Sequence, residues 1–148
     1  MSAPRASRSA VLLSCGLASV VAFQAALVAG APWGAAAWGG AQTGQLPAEL
    51  RVGYALQAAI WSLLTLTVMS RGGIPSPVPH SFSRRAIWLV TSLLAVGAVM
   101  NAASSSRWER FGWAPLLLVL AVLSFRLARS PRPEQDPRGH GRNSLGTA

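Results

Sequence analysis

Four apolar stretches, at about residues 10–29, 52–70, 86–103 and 113–127, dominate the chain, and none has an acidic or basic side chain in its middle. A hydrocarbon core ~30 Å thick takes about 20 helical residues at ~1.5 Å each to cross. The fourth stretch is the shortest, and Trp113 and a snorkelling Arg126 define its span. No water satisfies stray backbone N–H and C=O groups inside a bilayer, so such segments must be helices. The expected fold class is all-α: an up-down bundle of four transmembrane helices with a partly ordered outer cap and a disordered C-terminal tail.

Composition supports this. Only 11% of the 148 residues are charged, against roughly 25% in an ordinary soluble domain, and the length allows a single domain. The net charge of +9 raises the question of nucleic acid. The arginines flank apolar runs instead of forming a stripe, so no nucleic-acid partner is expected. All 13 basic residues are Arg, which together with abundant Ala and Gly fits a GC-rich bacterial genome. The single cysteine, Cys15, allows no disulfide within the chain and no Cys/His zinc site. It reads as a small apolar core residue.

Arg5 and Arg8 ahead of the first run resemble the basic start of a signal peptide, and Leu12-Leu13-Ser14-Cys15 resembles a lipoprotein cleavage box. The run exceeds the usual ~7–15-residue apolar core of such signals and continues well past Cys15, so an uncleaved helix is expected. With the N-terminus in the cytoplasm, 10 arginines (Arg5, Arg8, Arg71, Arg84, Arg85, Arg126, Arg129, Arg132, Arg138, Arg142) fall on the cytoplasmic side. Only 3 (Arg51, Arg107, Arg110) fall outside. The positive-inside bias therefore puts both termini in the cytoplasm, in the inner membrane of a bacterium. Residues 1–9 form a cytoplasmic segment, 10–128 the membrane domain and 129–148 a basic tail too poor in apolar residues to order itself. The cytoplasmic arginines are expected to meet anionic lipid.

The link from Arg71 to His80 is full of helix breakers, Gly72-Gly73 and Pro75, Pro77 and Pro79 among them. The usual catalytic and metal-binding arrangements are missing: there is no phosphate loop ahead of a helix, no His-Glu-x-x-His and no nucleophile with base and orienter. His80 reads as a surface residue. Catalytic residues, metal ligands and cofactors are all expected to be none.

Unusual residues gather at the outer rim. The first loop supplies Trp33 and Trp38, and the region after the third helix supplies Arg107-Trp108-Glu109-Arg110 and Trp113. Two readings stand: an aromatic belt at headgroup level, or a cap folded from loops one and three over an outward pocket. Glu109 pairs either with Arg51 across the loops or locally with Arg107 or Arg110. Gln24 and Gln57 both lie ~9 Å below the outer interface on adjacent antiparallel helices. They form an interhelical hydrogen bond or, with Asn101, the polar floor of a pocket. Small residues, Gly16 and Ser19–Ala22 on the first helix and Ala95, Gly97 and Ala98 on the third, permit close helix packing.

Gly30-Ala31-Pro32-Trp33-Gly34, Gly39-Gly40, Leu46-Pro47 and Arg51, then Asn101, Ser104-Ser105-Ser106, Glu109 and Pro115, form a spaced pattern. It resembles that of small four-helix bacterial integral membrane proteins of unassigned function. The likeness covers about residues 10–127. It implies a four-helix membrane fold with a distinctive outer face and brings no activity, substrate or cofactor with it. Trp38 and Trp108 are not required by that pattern.

The expected function is that of a non-enzymatic membrane component that binds another membrane protein, a second copy of itself or lipid. The alternatives are a small-molecule binding or transport element with an outward pocket and, more weakly, a membrane enzyme using Glu109. The candidate binding residues are Gln24, Trp33, Arg51, Gln57, Asn101, Glu109, Arg110 and Trp113.

Overall fold

The computed structural model describes residues 7–130. The expectations for the first six residues and for the tail beyond Ser130 lie outside the described residues. Four long helices carry the fold: α1 (Arg8–Ala29), α2 (Ala48–Arg71), α3 (His80–Ala102) and α4 (Ala114–Arg129). All four are long and apolar enough to cross a membrane, α4 together with the turn before it, Glu109–Arg129. The chain is a multi-pass membrane protein built as an up-down bundle.

Local chemistry fixes where the helices begin. Ser7 caps α1 by accepting from the Ala10 N–H at 3.1 Å. Pro47 and Pro79 stand at the N-caps of α2 and α3, with φ already near the helical value. Both helices therefore start earlier than the apolar stretches do. Glu49 and Arg51 belong to the opening turns of α2, and His80, Arg84 and Arg85 to those of α3. Helix propagates past the hydrocarbon boundary because its backbone bonds cost nothing extra in the headgroup layer. Ahead of α4, residues Glu109–Trp113 form a wide π turn. Pro115 follows at the start of α4, and its missing N–H removes one bond of the regular ladder.

Helices α1 and α2 form one tightly packed hairpin, α3 and α4 the other; the seams between hairpins, α1–α4 and α2–α3, are thinner. At the end that carries both described termini, the seams are closed. Leu13, Val68, Ile87 and Val90 belong to a core that starts there and continues through Leu17, Leu94 and Leu120 to Leu117 nearer the other end. Gly16 lets α1 approach α4 so closely that a Cβ on it would overlap Leu120 Cδ2. Thr91 and Ser124 bond at 2.7 Å between α3 and α4, and Ser70 donates to Ser83 at 3.3 Å between α2 and α3. The Arg71 guanidinium reaches the Ser130 carbonyl at 2.8 Å, favourably placed at the negative end of α4.

The outside is apolar. Leu56, Leu63, Leu89, Val96, Leu118 and Val119 are all exposed, the surface that lipid requires. Two sequence expectations change here. Cys15 is exposed, not a core residue, because the inward face of its turn is taken by Leu13 and Leu17. Of the proposed small-residue seams, Ser19, Ala22 and Ala95 also face outward; Gly16, Gly97 and Ala98 are the ones turned toward neighbours.

Candidate functional site

At the opposite end, the cap end, the chain between α1 and α2 folds into two short 3-10 turns, Gly34–Ala36 and Trp38–Gly40. Three bonds stitch this loop to the start of α4. The Ser106 hydroxyl donates to the Ala35 carbonyl at 2.8 Å, the Trp113 indole N–H to the Ala36 carbonyl at 3.1 Å, and the Gly39 N–H to Glu109 Oε1 at 2.9 Å. The last holds an unusual backbone: Trp38 at φ 50 is followed by Gly39 at φ 66. A left-handed non-glycine residue costs roughly 1–2 kcal/mol, so the Glu109 carboxylate, a charged acceptor, is what offsets it. Loops one and three do form a cap.

The charges at this end are not paired in the ways the sequence left open. Arg51 donates to the Val28 carbonyl from Nε at 2.7 Å and again from Nη2, capping the C-terminus of α1. Arg110 donates to the Ser104 carbonyl at 2.7 Å. Glu109 serves the backbone of loop one. The reason is shared: a folded cap has many unpaired main-chain groups, and each of these three side chains meets one before it meets another charge.

Beneath the cap lies a cleft of about 800 Å³. Its polar end is formed by Gln24, Gln57, Asn101, Ser104, Ser105 and Glu109. Phe23, Trp38, Tyr54, Trp61 and Trp113 supply aromatic wall, and Leu64 and Leu117 lie deeper. Ile60, Leu93 and Met100 line the cleft while remaining 47%, 41% and 66% exposed. The cleft thus opens sideways through the thin α2–α3 seam, at a depth where lipid is the neighbour. That seam is closed at the other end by the bond of Ser70 to Ser83 and by the His80 Nδ1 contact with the Ser70 carbonyl at 3.1 Å.

Gln24 donates from Nε2 to Gln57 Oε1 at 3.0 Å. Gln24 is only 7% exposed, yet its Oε1 has no hydrogen-bond partner. Asn101 is oriented by its own helix, donating from Nδ2 to the Gly97 carbonyl at 2.8 Å.

Of the eight candidate residues, Gln24, Gln57, Asn101, Glu109 and Trp113 line this cleft. Arg51 and Arg110 are engaged elsewhere, as described. Trp33 lies on the other seam, in an aromatic groove of about 580 Å³ with Phe23, Trp108 and Trp113. Its ring stacks on Phe23 at 6.1 Å. Phe23, Ala36 and Trp113 line both cavities, so the Trp113–Ala36 bond is the partition between them. Sequence reasoning missed Tyr54 and Trp61. Their spacing with Gln57, three and four residues apart along α2, places all three on one helical face, and that periodicity was the available signal. Among the described residues no three His, Cys, Asp or Glu side chains converge as a metal site would need. No family model, curated protein or solved structure matches this chain.

Proposed function

We propose that this protein is a non-enzymatic binding protein of the bacterial cytoplasmic membrane that holds a small amphiphile in the cleft beneath its cap. The observation carrying the reading is the Gln24 carbonyl oxygen, buried and unpartnered at the polar end of a largely apolar cleft. An orphaned buried acceptor costs about 1–3 kcal/mol, a penalty that a polar ligand group would remove. Ligand sites have this character: apolar walls with a few convergent polar groups. Glu109 is the one carboxylate in the lining, and no His or Cys accompanies it among the described residues. The residues are suited to holding a molecule; beside Glu109 the polar side chains of the lining are amides, hydroxyls and indoles.

Orientation follows from charge. Among the described residues the end with the termini carries 6 arginines (Arg8, Arg71, Arg84, Arg85, Arg126, Arg129) and the cap end 3 (Arg51, Arg107, Arg110), so the first end belongs in the cytoplasm and the cap outside. An alkaline phosphatase fusion at the last residue should then be inactive; activity there would invert the assignment.

The binding reading is tested by native mass spectrometry of protein extracted in mild detergent. A small amphiphile should remain bound and be lost in Gln57→Trp, which fills the cleft, with helicity unchanged. Retention of the same molecule by Gln57→Trp, or a stoichiometric protein partner in its place, would defeat the reading. The exposed Trp33 and Trp108 beside the α1–α4 groove would then mark the partner's docking face.

A further inference from the structure

We propose that the ligand carries a protonated amine at its polar end. This rests on the reading of the cleft as a ligand site and narrows the chemistry of what it takes.

The cleft holds acceptors that nothing in the fold uses. Asn101 gives one of its two amide N–H groups to Gly97 and keeps Oδ1 to offer. Gln24 gives one amide N–H to Gln57, and its buried Oε1 has no partner. Glu109 receives one N–H, from Gly39, and an ionised carboxylate has lone pairs for more. These three side chains come from α1, α3 and the π turn ahead of α4, and all line the same cleft. An ammonium group has three donors and no acceptor, and can meet these three open acceptors at once. A carboxylate or phosphate would meet Glu109 as a like charge.

The electrostatics agree. No arginine lines the cleft among the described residues. The three arginines of the cap end are accounted for: Arg51 at the end of α1, Arg110 on Ser104, and Arg107 exposed. Glu109 is thus the sole charge of the lining. Its field acts in a region of low polarizability, where a single charge weighs more than at a wet surface. Tyr54, Trp61 and Trp113 in the same wall add ring systems of the type that attract cations. The mouth between Ile60, Leu93 and Met100 is apolar and faces lipid, so the remainder of the ligand is hydrocarbon.

The test uses the full chain in nanodiscs of phosphatidylcholine and three probes of one shape: phenylbutylamine, phenylbutanol and phenylbutyrate. Binding is followed by quenching of the cleft tryptophans and by calorimetry. The amine should bind about tenfold or more tighter than the alcohol, the acid weakest, as expected for charge-assisted hydrogen bonds. Glu109→Gln should remove that preference and leave the alcohol unchanged. The variant amide can still accept from Gly39, so the cap persists; amide hydrogen exchange of residues 33–44 monitors it. Equal affinity for alcohol and amine, or an unchanged amine affinity in a folded Glu109→Gln, overturns the charge assignment and leaves the cleft reading standing. Failure of all three probes overturns both.

Discussion

Replacing Gln24 by Leu separates two roles for a polar pair in a membrane bundle. If the Gln24–Gln57 bond is glue, its removal costs stability. Interhelical hydrogen bonds in membranes average about 0.6 kcal/mol, with a maximum near 1.7. Against that stands the unpartnered Gln24 Oε1, whose burial costs about 1–3 kcal/mol. Leucine is close to glutamine in volume, so no new void opens, and Gln57, exposed within the cleft lining, is free to turn. The two terms give a Gln24→Leu protein that is unchanged or more stable by about 1 kcal/mol, with its ligand lost. Unfolding in mixed micelles of rising SDS fraction, followed by circular dichroism, gives the stability; native mass spectrometry of the same preparation gives the ligand. Destabilisation beyond about 2 kcal/mol, more than a membrane hydrogen bond supplies, would show that the pair is there to hold α1 to α2. Polar groups kept at the expense of stability are what a binding site looks like in energetic terms.

Two further substitutions address the scaffold. Gly16→Val should destabilise the bundle by about 1–3 kcal/mol through overpacking against Leu120. Leu120→Ala in the same chain should recover part of that loss, and strictly additive effects would place the α1–α4 contact elsewhere. Glu109→Ala should speed amide exchange across residues 33–44 by about tenfold or more, the loss of one charge-assisted bond. Exchange unaltered in Glu109→Ala would mean that the Trp38–Gly39 turn is held by other contacts.

The four crossings were legible because the requirement behind them is absolute: backbone in oil must bond to itself, and about 20 apolar residues in a row leave one way to do so. Helix ends were less legible. Hydropathy reports where lipid ends, whereas Pro47 and Pro79 set where α2 and α3 begin. The burial of individual small residues was hidden for a related reason. In water an exposed apolar residue is penalised and periodicity marks the core; in lipid both faces are apolar, so Cys15 and Ala95 gave no sign of facing outward. The site residues divide along the same line. Gln24, Gln57 and Asn101 stood out because polarity is rare inside a span. The partners of Arg51 and Glu109 did not, since main-chain groups of a loop carry no sequence signature.

Why the cleft lies at the cap end, and on this seam, follows from how the hairpins are joined. The α2–α3 link between Arg71 and His80 draws the hairpins together at one end, and the close Gly16–Leu120 contact holds them at mid-bundle. At the other end, among the described residues, no hydrogen bond crosses from α2 to α3. The loop after α1 instead reaches over to α4, through Ser106, Glu109 and Trp113. It covers the top of the bundle and leaves its side open. A cleft roofed against water and open to lipid selects for molecules that arrive through the bilayer. Within it the polar groups lie under the roof and the hydrocarbon walls toward the mouth, so such a molecule would enter head first only by turning at the seam. The exposed Met100 at that mouth is unbranched and flexible, and it can yield to a passing head group where a tighter seam could not.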